Sequence, residues 1–108
     1  MNIGNSALTE AVYYILLSLL EPRHGYGIMQ FAEQISGGRV RLAAGTLYGA
    51  INTMLEKGWI EAWGTESSSR KKEYVITQNG MAVLLGEIAR LVELAAIGRR
   101  LIEQVTRY

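Results

Sequence analysis

The chain of 108 residues has no cysteine, no aspartate, a single histidine and a single proline. Without cysteine it has no disulfide framework, and one histidine cannot form a Cys/His zinc site. The chain also lacks a cysteine nucleophile and a glycine-rich loop of the kind that cradles phosphate groups. We therefore expect a protein that is not an enzyme and that uses no metal and no cofactor.

Long hydrophobic runs are also missing. No apolar stretch reaches the ~18 residues that a membrane-spanning helix needs, and Met1–Gly4 lacks the basic start of a signal peptide. These two absences predict a cytoplasmic protein. Hydrophobic residues nevertheless make up 49% of the chain, which is enough for one folded domain.

Positive charge is concentrated in the middle of the chain. The whole chain has a net charge of only +1. Between Arg39 and Lys72, however, six basic residues stand against three acidic ones, whereas the remainder has five basic and seven acidic residues. A basic segment of this kind is the electrostatic footprint of a nucleic-acid-binding protein, although a solvated basic surface would leave the same pattern.

Apolar residues at helical spacing predict two helices in the first third of the chain. The first should run from about Ser6 to Leu20, capped by Asn5 or Ser6 and ended by Pro22. Arg23–Gly27 should form a turn, because its two glycines give the backbone freedom to bend. A second helix should follow and stop at a pair of adjacent glycines.

A third helix should follow Arg41, with Thr46 and Tyr48 near its start, and stop at Gly58; Leu47, Ile51 and Met54 share one of its faces. The opposite face is small, polar and nearly free of acidic residues. Gly58 stands where a helix often ends with a left-handed residue, and Trp59 can fold back on the last turn. A helix that buries one side and presents hydroxyl, amide and phenol groups on the other is typical of a recognition element.

Two strand-like segments, Trp59–Trp63 and Lys72–Ile76, follow the third helix. The segment between them is polar, rich in serine and basic at its end. Three helices followed by a hairpin with a basic tip give the order of a winged helix-turn-helix. We therefore predict a mainly α-helical fold with a small β-hairpin. The third helix would enter the major groove of DNA, and the hairpin would contact the backbone or the minor groove.

The last helix should run from about Gln78 to Arg107, with Thr77 as its cap. At ~1.5 Å per residue it would span roughly 45 Å, longer than a domain of this size is wide. Its apolar residues alternate spacings of three and four, as in a heptad repeat. We predict a winged-helix domain over residues 1–77 and a dimerisation helix over residues 78–108 of a homodimer. The predicted dimer interface consists of Leu8, Val12, Met81, Leu84, Ile88, Leu91, Ala95, Gly98 and Ile102.

A second prediction for this region is a ligand cavity. It would lie between the final helices of the two copies and the first helix. Its predicted lining is Tyr13, Tyr14, Leu84, Ile88 and Leu91. The same residues would make a dry helix interface equally well, so the pattern leaves the pocket and the interface open.

Four separated motifs resemble the PadR family of transcriptional regulators. In chain order they are His24–Ile28 (HGYGI), Gly45–Tyr48 (GTLY), Leu55–Glu61 (LEKGWIE) and Arg70–Gly80 (RKKEYVITQNG). The likeness includes the long final helix. The resemblance implies a winged-helix DNA-binding dimer, usually a repressor, whose final helix forms the dimer interface.

The short C-terminal part resembles the compact subgroup of this family, which has a single C-terminal helix. The resemblance implies that some members release DNA when they bind a small aromatic or cationic effector. Two features depart from the family pattern. Gly49 stands where many members have proline, and the final helix lacks the tryptophan on which some compact members stack their ligand.

The candidate DNA-binding residues lie before and within the third helix and at the tip of the hairpin. Hydroxyl and amide groups near a helix start bind phosphate oxygens, and asparagine can pair with adenine. Basic residues of the hairpin, which is called the wing below, can bind phosphate. The set is Tyr26, Arg41, Thr46, Tyr48, Gly49, Asn52, Thr53, Arg70, Lys71 and Lys72.

Each candidate also has a purely structural interpretation. Thr46 would serve as an N-terminal cap, Tyr48 would pack against the second helix, and Tyr26, at the start of that helix, would pack rather than reach DNA. Asn52 and Thr53 would be plain solvent-facing positions, and the basic tip would be a solvated hairpin end. Trp59 and Trp63 are expected in the hairpin core rather than in a ligand site.

Two functions fit these features. The favoured one is a homodimeric transcription factor, a repressor that binds a palindromic operator and responds to a small-molecule effector. The alternative is a winged-helix module for protein association without sequence-specific DNA binding. Glu87 and Glu93 are interpreted as a solvated flank of the last helix rather than as catalytic carboxylates.

Overall fold

The computed structural model describes residues 7–65 and 71–106, which form four helices and three strands. The molecule measures 62 × 33 × 21 Å, and its length comes from the last helix. In chain order the elements are α1 (Glu10–Ser18), β1 (Arg23–His24), α2 (Gly25–Ile35), α3 (Ala44–Glu56), β2 (Ile60–Trp63), β3 (Glu73–Ile76) and α4 (Gln78–Thr106).

The core lies where the first three helices meet the sheet and the start of α4. The sheet is antiparallel with strand order β1-β3-β2. This arrangement of helices followed by a hairpin confirms the predicted mainly α-helical winged fold. The buried core residues are Ile15, Leu16, Leu19, Ile28, Leu47, Ile51, Met54, Ile60, Tyr74 and Leu84.

The junction between α3 and β2 follows the sequence prediction closely. Gly58 adopts a left-handed backbone conformation with φ +74°. Its N–H donates to the carbonyl of Leu55 at 3.1 Å, and the N–H of Trp59 donates to the carbonyl of Met54 at 2.9 Å. These two bonds form a Schellman motif, which satisfies carbonyl groups at the helix end. The chain passes from α3 directly into β2, the first strand of the hairpin.

Thr77 connects this junction to the start of α4. Its hydroxyl donates to the carbonyl of Gly58 at 2.6 Å and accepts from the N–H of Gly80 at 3.1 Å, so the predicted cap is confirmed. Gly80 is buried, and a Cβ atom there would clash with the carbonyl oxygen of Trp59. A glycine at this position lets α4 begin in direct contact with the hairpin.

The first helix is shorter than predicted. It begins at Glu10 instead of about Ser6, because the side chain of Thr9 accepts from the N–H of Val12 and caps the helix there. The predicted caps Asn5 and Ser6 lie outside the described residues. The helix ends at Ser18, and the following two residues form a turn.

Arg23 and His24 form a strand where a turn was expected. They pair with Tyr74 and Glu73 of β3, and the helix α2 starts immediately afterwards. The His24 ring explains the early start, because its Nδ1 atom accepts from the N–H of Gly27 at 3.0 Å and caps α2. Arg23 donates to the carbonyl of Ser18 at 2.8 Å, so it fixes the end of α1 against the strand.

Exposure rises along one stripe of α4. Leu91 follows Leu84 by seven residues and Val105 follows Leu91 by fourteen, so the three lie on one side of the helix. They are nevertheless 2%, 41% and 73% exposed. The first part of α4 packs on the core, and the second part extends beyond it. No helix within residues 7–65 and 71–106 is long and apolar enough to cross a membrane.

Candidate nucleic-acid interface

The helix α3 lies on the core through one side and leaves the other side open. Leu47, Ile51 and Met54 are almost completely buried, as predicted. Thr46, Gly49, Asn52 and Thr53 are exposed. The hydroxyl of Thr53 donates to the carbonyl of Gly49 at 3.2 Å, so its methyl group is the part that points away from the helix backbone.

The start of α3 has backbone N–H groups that no described side chain caps. Ala43 is the N-cap residue, and among the described residues no side chain bonds to the first turn. The alternative role of Thr46 as the cap is therefore wrong, since Thr46 lies inside the helix. The first turn also contains no acidic residue. Free N–H groups at a helix start attract anions, including phosphate oxygens.

Gly49 does not interrupt this helix. The helix continues through it from Ala44 to Glu56, and the position of its missing Cβ atom has no described atom within 4 Å. The absence of a side chain at Gly49 therefore leaves a bare patch of backbone on the open side of α3.

Tyr48 combines both interpretations made from the sequence. Its hydroxyl occupies the space where a side chain on Gly25 would begin, so the ring packs on the start of α2. Burial is the main reason that the pKa of the Tyr74 hydroxyl is raised, and the electrostatic effect of the neighbouring Tyr48 raises it further. Tyr48 itself is 37% exposed, so its ring is held by the core while its edge reaches the surface.

Two further candidates precede or flank α3. Tyr26 is 63% exposed on the first turn of α2, which contradicts the interpretation that it packs inside. The guanidinium of Arg41 is exposed and lies 3.8 Å from the carboxylate of Glu33. Arg39 pairs with Glu10 across an exposed surface. Exposed ion pairs of this kind are weak, so Arg41 can exchange Glu33 for a phosphate group at little cost.

The wing places two of its three basic candidates on the surface. Lys71 is exposed and Lys72 is half-buried just before β3, whereas Arg70 lies outside the described residues. Trp59 packs partly against the core, as expected. Trp63 is 52% exposed, so its predicted place in the hairpin core is wrong. It is the last residue of β2, opposite Glu73 of β3.

The predicted dimer residues fall into two groups. Leu8, Val12, Leu84 and Ile88 pack against the core of their own chain. The other five lie on the surface or at its edge. Gly98 is half-buried, and the exposed residues are Met81, Leu91, Ala95 and Ile102.

The predicted ligand residues are only partly brought together. Tyr13, Tyr14 and Leu91 line a shallow groove of about 260 Å³ between α1 and α4. The two tyrosine rings meet edge to face with 5.7 Å between their centroids. Leu84 and Ile88 do not line this groove, because they face the core.

Glu87 is buried, which corrects its interpretation as part of a solvated flank. Its side chain is 4% exposed and accepts two hydrogen bonds from Arg90, at 2.8 and 2.7 Å. The hydrogen bonds from Arg90 hold the pKa of the Glu87 carboxyl below its usual range against the opposing effect of burial, and the backbone of Leu8 lowers it further. The sequence contained a signal for this, because Glu87 lies three residues after Leu84 and four before Leu91, on the apolar stripe.

Within the described part of the chain, no group of three or more His, Cys, Asp or Glu side chains could hold a metal ion. The candidate side chains on α3 and before β3 instead carry hydroxyl, amide and ammonium groups. This set can donate hydrogen bonds to phosphate and to base edges.

Solved structures share this architecture. The structure of H. salinarum RosR that was grown from NaBr has a TM-score of 0.65 and 21% identity to this chain. The alignment covers 94% of this chain and 96% of that chain. A PadR family transcriptional regulator from Eggerthella lenta has a TM-score of 0.68 and 26% identity, with coverages of 85% and 80%. A transcriptional regulator from Clostridium thermocellum has a TM-score of 0.62 and 19% identity, with coverages of 87% and 89%.

No curated protein matches the chain at a significant level. The sequence model of the PadR-like family of transcriptional regulators matches residues 15–85, from within α1 to the first part of α4. The match covers more than half of the chain and confirms the resemblance seen in the four motifs. It also confirms that the protein is a regulator rather than an enzyme. The chain belongs to the PadR-like family of transcriptional regulators.

Proposed function

We propose that the chain is a homodimeric repressor that binds a palindromic operator with two copies of α3. The observation that carries this proposal is the open side of α3, which combines a helix start without a side-chain cap, a polar face and bare backbone at Gly49. Such a surface suits close approach to DNA, because N–H groups and small side chains meet phosphates and base edges directly.

Within this proposal the residues of α3 have different tasks. Thr46 and the edge of Tyr48 contact phosphate near the helix start. Asn52, a turn further on, pairs with an adenine edge, and the Thr53 methyl group contacts thymine. Arg41 and Tyr26 lie at the periphery of this surface and hold the DNA backbone.

The wing supplies charge rather than sequence information. Lys71 and Lys72, together with Arg70, would contact phosphate or the minor groove beside the site of α3. The exposure of Lys71, and the half-buried position of Lys72 just before β3, support this role for the two lysines.

The proposed dimer rests on the uncovered second half of α4. The apolar stripe that Leu84 begins inside the core continues through Leu91, Ile102 and Val105 on the surface. Exposed apolar area of this extent marks an interaction site. A second copy covers it most simply, since two-fold pairing matches the stripe with itself. The two α3 helices would then lie about 34 Å apart, one turn of DNA.

A small aromatic or cationic effector remains part of the proposal. The edge-to-face pair of Tyr13 and Tyr14 beside Leu91 supports it, because aromatic rings bind flat and cationic molecules. A cytoplasmic location also remains a prediction.

Binding to the DNA upstream of the protein's own gene tests the proposal. We expect a gel-shift titration at moderate salt to show binding at least about 1000-fold tighter than to random duplex. Two half-sites should be protected about one helical turn apart. Equal affinity for both DNAs would favour the alternative, a winged-helix module for protein association.

A further inference from the structure

The end of α3 and the start of α4 are linked through one residue, Thr77. Its hydroxyl donates to the carbonyl of Gly58 at 2.6 Å and accepts from the N–H of Gly80 at 3.1 Å. Its backbone N–H donates to the carbonyl of Trp59 at 2.9 Å, and its carbonyl accepts from the N–H of Met81 at 2.8 Å. Two of these bonds hold the junction between α3 and β2, and the other two hold the first turn of α4.

The hydroxyl group is the part that joins the two sides. A capping side chain needs only to accept a hydrogen bond from the first turn of its helix. Thr77 does this for α4, but it also gives its proton to Gly58, 19 residues earlier in the chain. One oxygen atom therefore connects the left-handed residue that ends α3 to the first turn of α4. The bond to Gly58 is partly buried, where competition from water is reduced.

Close packing reinforces this connection. Gly80 is buried, and a Cβ atom there would overlap with the carbonyl oxygen of Trp59. The backbone of α4 therefore touches the backbone that leaves α3, with no side chain between them. Because both partners are backbone, the direction in which α4 leaves the domain depends on atoms with little freedom to move.

Away from this junction the two helices are mostly separated. A groove of about 450 Å³ lies between them, with Ala50 of α3 and Gly86 of α4 among its lining residues. The helices also share the core, which Leu84 of α4 enters. The angle between α3 and α4 therefore depends on two supports, the core contact of Leu84 and the junction at Thr77.

The length of α4 magnifies any change of angle at its start. At ~1.5 Å per residue, Ile102 lies roughly 37 Å along the helix from Thr77. A tilt of ~10° at Thr77 would displace Ile102 by ~6 Å, whereas one base pair of DNA adds only ~3.4 Å. The exposed segment around Ile102 is the part proposed to meet a second copy. A tilt of α4 would therefore change the distance between the two α3 helices by more than one base pair.

We propose that Thr77 is a positioning residue: its bridging hydroxyl fixes the direction of α4 relative to α3 and thereby sets the half-site spacing that the dimer accepts. The hydroxyl itself makes no contact with DNA, because its two bonds are both within the chain. The effect on half-site spacing rests on the proposed function, whereas the control of the angle between the two helices does not.

Three substitutions of Thr77 separate bridging from capping. Thr77→Ser keeps the hydroxyl and both of its bonds. Thr77→Asp still caps α4, but an ionised carboxylate is only an acceptor and cannot donate to Gly58. Thr77→Val keeps the branched shape and makes neither bond. Thr106→Val is the matched control, because the hydroxyl of Thr106 donates to Ile102 within α4 and joins no second element.

The first experiment measures the angle between the helices without DNA. Spin labels at Asn52→Cys on α3 and Glu93→Cys on α4 give the distance between them by pulsed electron paramagnetic resonance. Both sites are exposed, and the chain has no other cysteine. Dilution with unlabelled protein restricts the signal to pairs within one chain.

The parent chain, Thr77→Ser and Thr106→Val should each show one narrow distance distribution. The distribution in Thr77→Asp and Thr77→Val should be at least about twice as broad, because the start of α4 can then open locally. A Thr77→Asp distribution as narrow as that of the parent would show that capping alone is sufficient and would overturn the proposal. A Thr77→Ser distribution as broad as that of Thr77→Val would assign the effect to the methyl group, with the same consequence.

Circular dichroism and urea unfolding check that each variant is folded at the temperature of the measurement. Thr77→Asp carries the test if Thr77→Val is unfolded, because its carboxylate still caps α4.

The second experiment uses operators whose half-sites are moved apart by one or two base pairs. The parent chain should lose affinity at least about tenfold with the altered spacing, and Thr77→Asp should lose less than about threefold. On the best operator Thr77→Asp should bind about fivefold more weakly, because a less fixed pair of α3 helices engages two half-sites at a lower effective concentration.

The affinity for a single half-site separates positioning from general damage. It should be equal for the parent and Thr77→Asp, because the open side of α3 is unchanged. A half-site affinity that falls as much as the operator affinity would show general damage to the domain and would overturn the positioning role.

The two experiments also distinguish this inference from the proposed function. If the Thr77 variants broaden the distance distribution but the chain binds no operator specifically, the proposed function fails and the control of the helix angle stands. If the chain binds its operator specifically and Thr77→Asp has the same spacing preference as the parent, only this inference fails.

Discussion

Gly58 and Gly49 differ in backbone conformation, and only Gly58 has one that requires glycine. Gly58 has φ +74° and ends α3, whereas Gly49 lies within the helix, with open space at the position of its Cβ atom. A side chain is strained in the left-handed conformation and is favourable in a helix interior. The two positions therefore separate a structural glycine from one that the fold does not need.

We expect Gly58→Ala to lower the free energy of unfolding by about 1–2 kcal/mol. Gly49→Ala should raise it by about 0.5–1 kcal/mol, because alanine loses less conformational freedom in a helix. Urea unfolding at one fixed protein concentration measures both. A loss of stability in Gly49→Ala would mean that the surroundings of this residue are less open than the structure shows.

Glu87 is a buried carboxylate that joins α4 to the segment before α1. Its depressed pKa means that the folded state favours the ionised form. Its contribution to stability is therefore present above the ordinary range of a glutamate and is lost as the pH falls through the lower, folded value.

Glu87→Gln should accordingly destabilise the chain most near neutral pH. The difference in unfolding free energy between the two proteins should shrink as the pH falls from about 7 to about 3, because wild-type Glu87 becomes protonated. Glu93→Gln, at an exposed position of the same helix, is the matched control and should show a small and constant difference. A constant difference for Glu87→Gln as well would contradict the assigned ion pair.

At the scale of elements, α3 and the wing divide recognition between them. The open side of α3 offers an amide and hydroxyl groups, whereas the wing offers ammonium groups. Contacts to phosphate act on every sequence and weaken with salt, while contacts to base edges discriminate among sequences. The two elements should therefore respond differently to substitution.

Replacing both Lys71 and Lys72 by alanine should weaken binding to operator and random DNA by similar factors. The slope of log affinity against log salt should fall by about two, close to one unit per lost phosphate contact. Asn52→Ala is the comparison: it should weaken operator binding by about 1–3 kcal/mol and leave the slope unchanged. An unaltered slope in the double variant would remove the wing from the interface.

At the scale of the whole molecule, the apolar stripe of α4 is buried at its start and exposed at its end. The winged helix covers the stripe at Leu84, and nothing among the described residues covers it near Ile102 and Val105. These two side chains are 64% and 73% exposed. The helix is thus longer than the domain needs, and its second half is available for a second copy.

Ile102→Asp should disrupt the proposed dimer without unfolding the winged helix, because Ile102 lies outside the core. We expect dimer association to weaken about 30-fold or more, since an aspartate would be buried in an apolar contact. Affinity for the full operator should fall with it. Sedimentation equilibrium and a gel shift measure the two effects. Gln104→Asp introduces the same charge on the side of α4 opposite Ile102 and should alter neither one. A folded Ile102→Asp monomer with undiminished affinity for the operator would refute the model.

Much of the fold could be predicted because its signals are local. Helical spacing located α3, the left-handed residue at Gly58 placed its end, and Thr77 placed the start of α4. These features depend on neighbours a few residues apart, which the sequence displays directly. The family follows from motifs of the same local kind.

The remaining features depend on contacts between distant parts of the chain. The strand β1 exists only because β3 pairs with it, Tyr48 is held by the start of α2, and Glu87 is buried because Arg90 and the backbone of Leu8 meet it. No spacing in the sequence states these partners. The sequence alone therefore determined the order of the four helices and the hairpin, and the polar face of α3. Only the tertiary structure decided which part of the α4 stripe the domain covers, because burial depends on where a helix leaves the core.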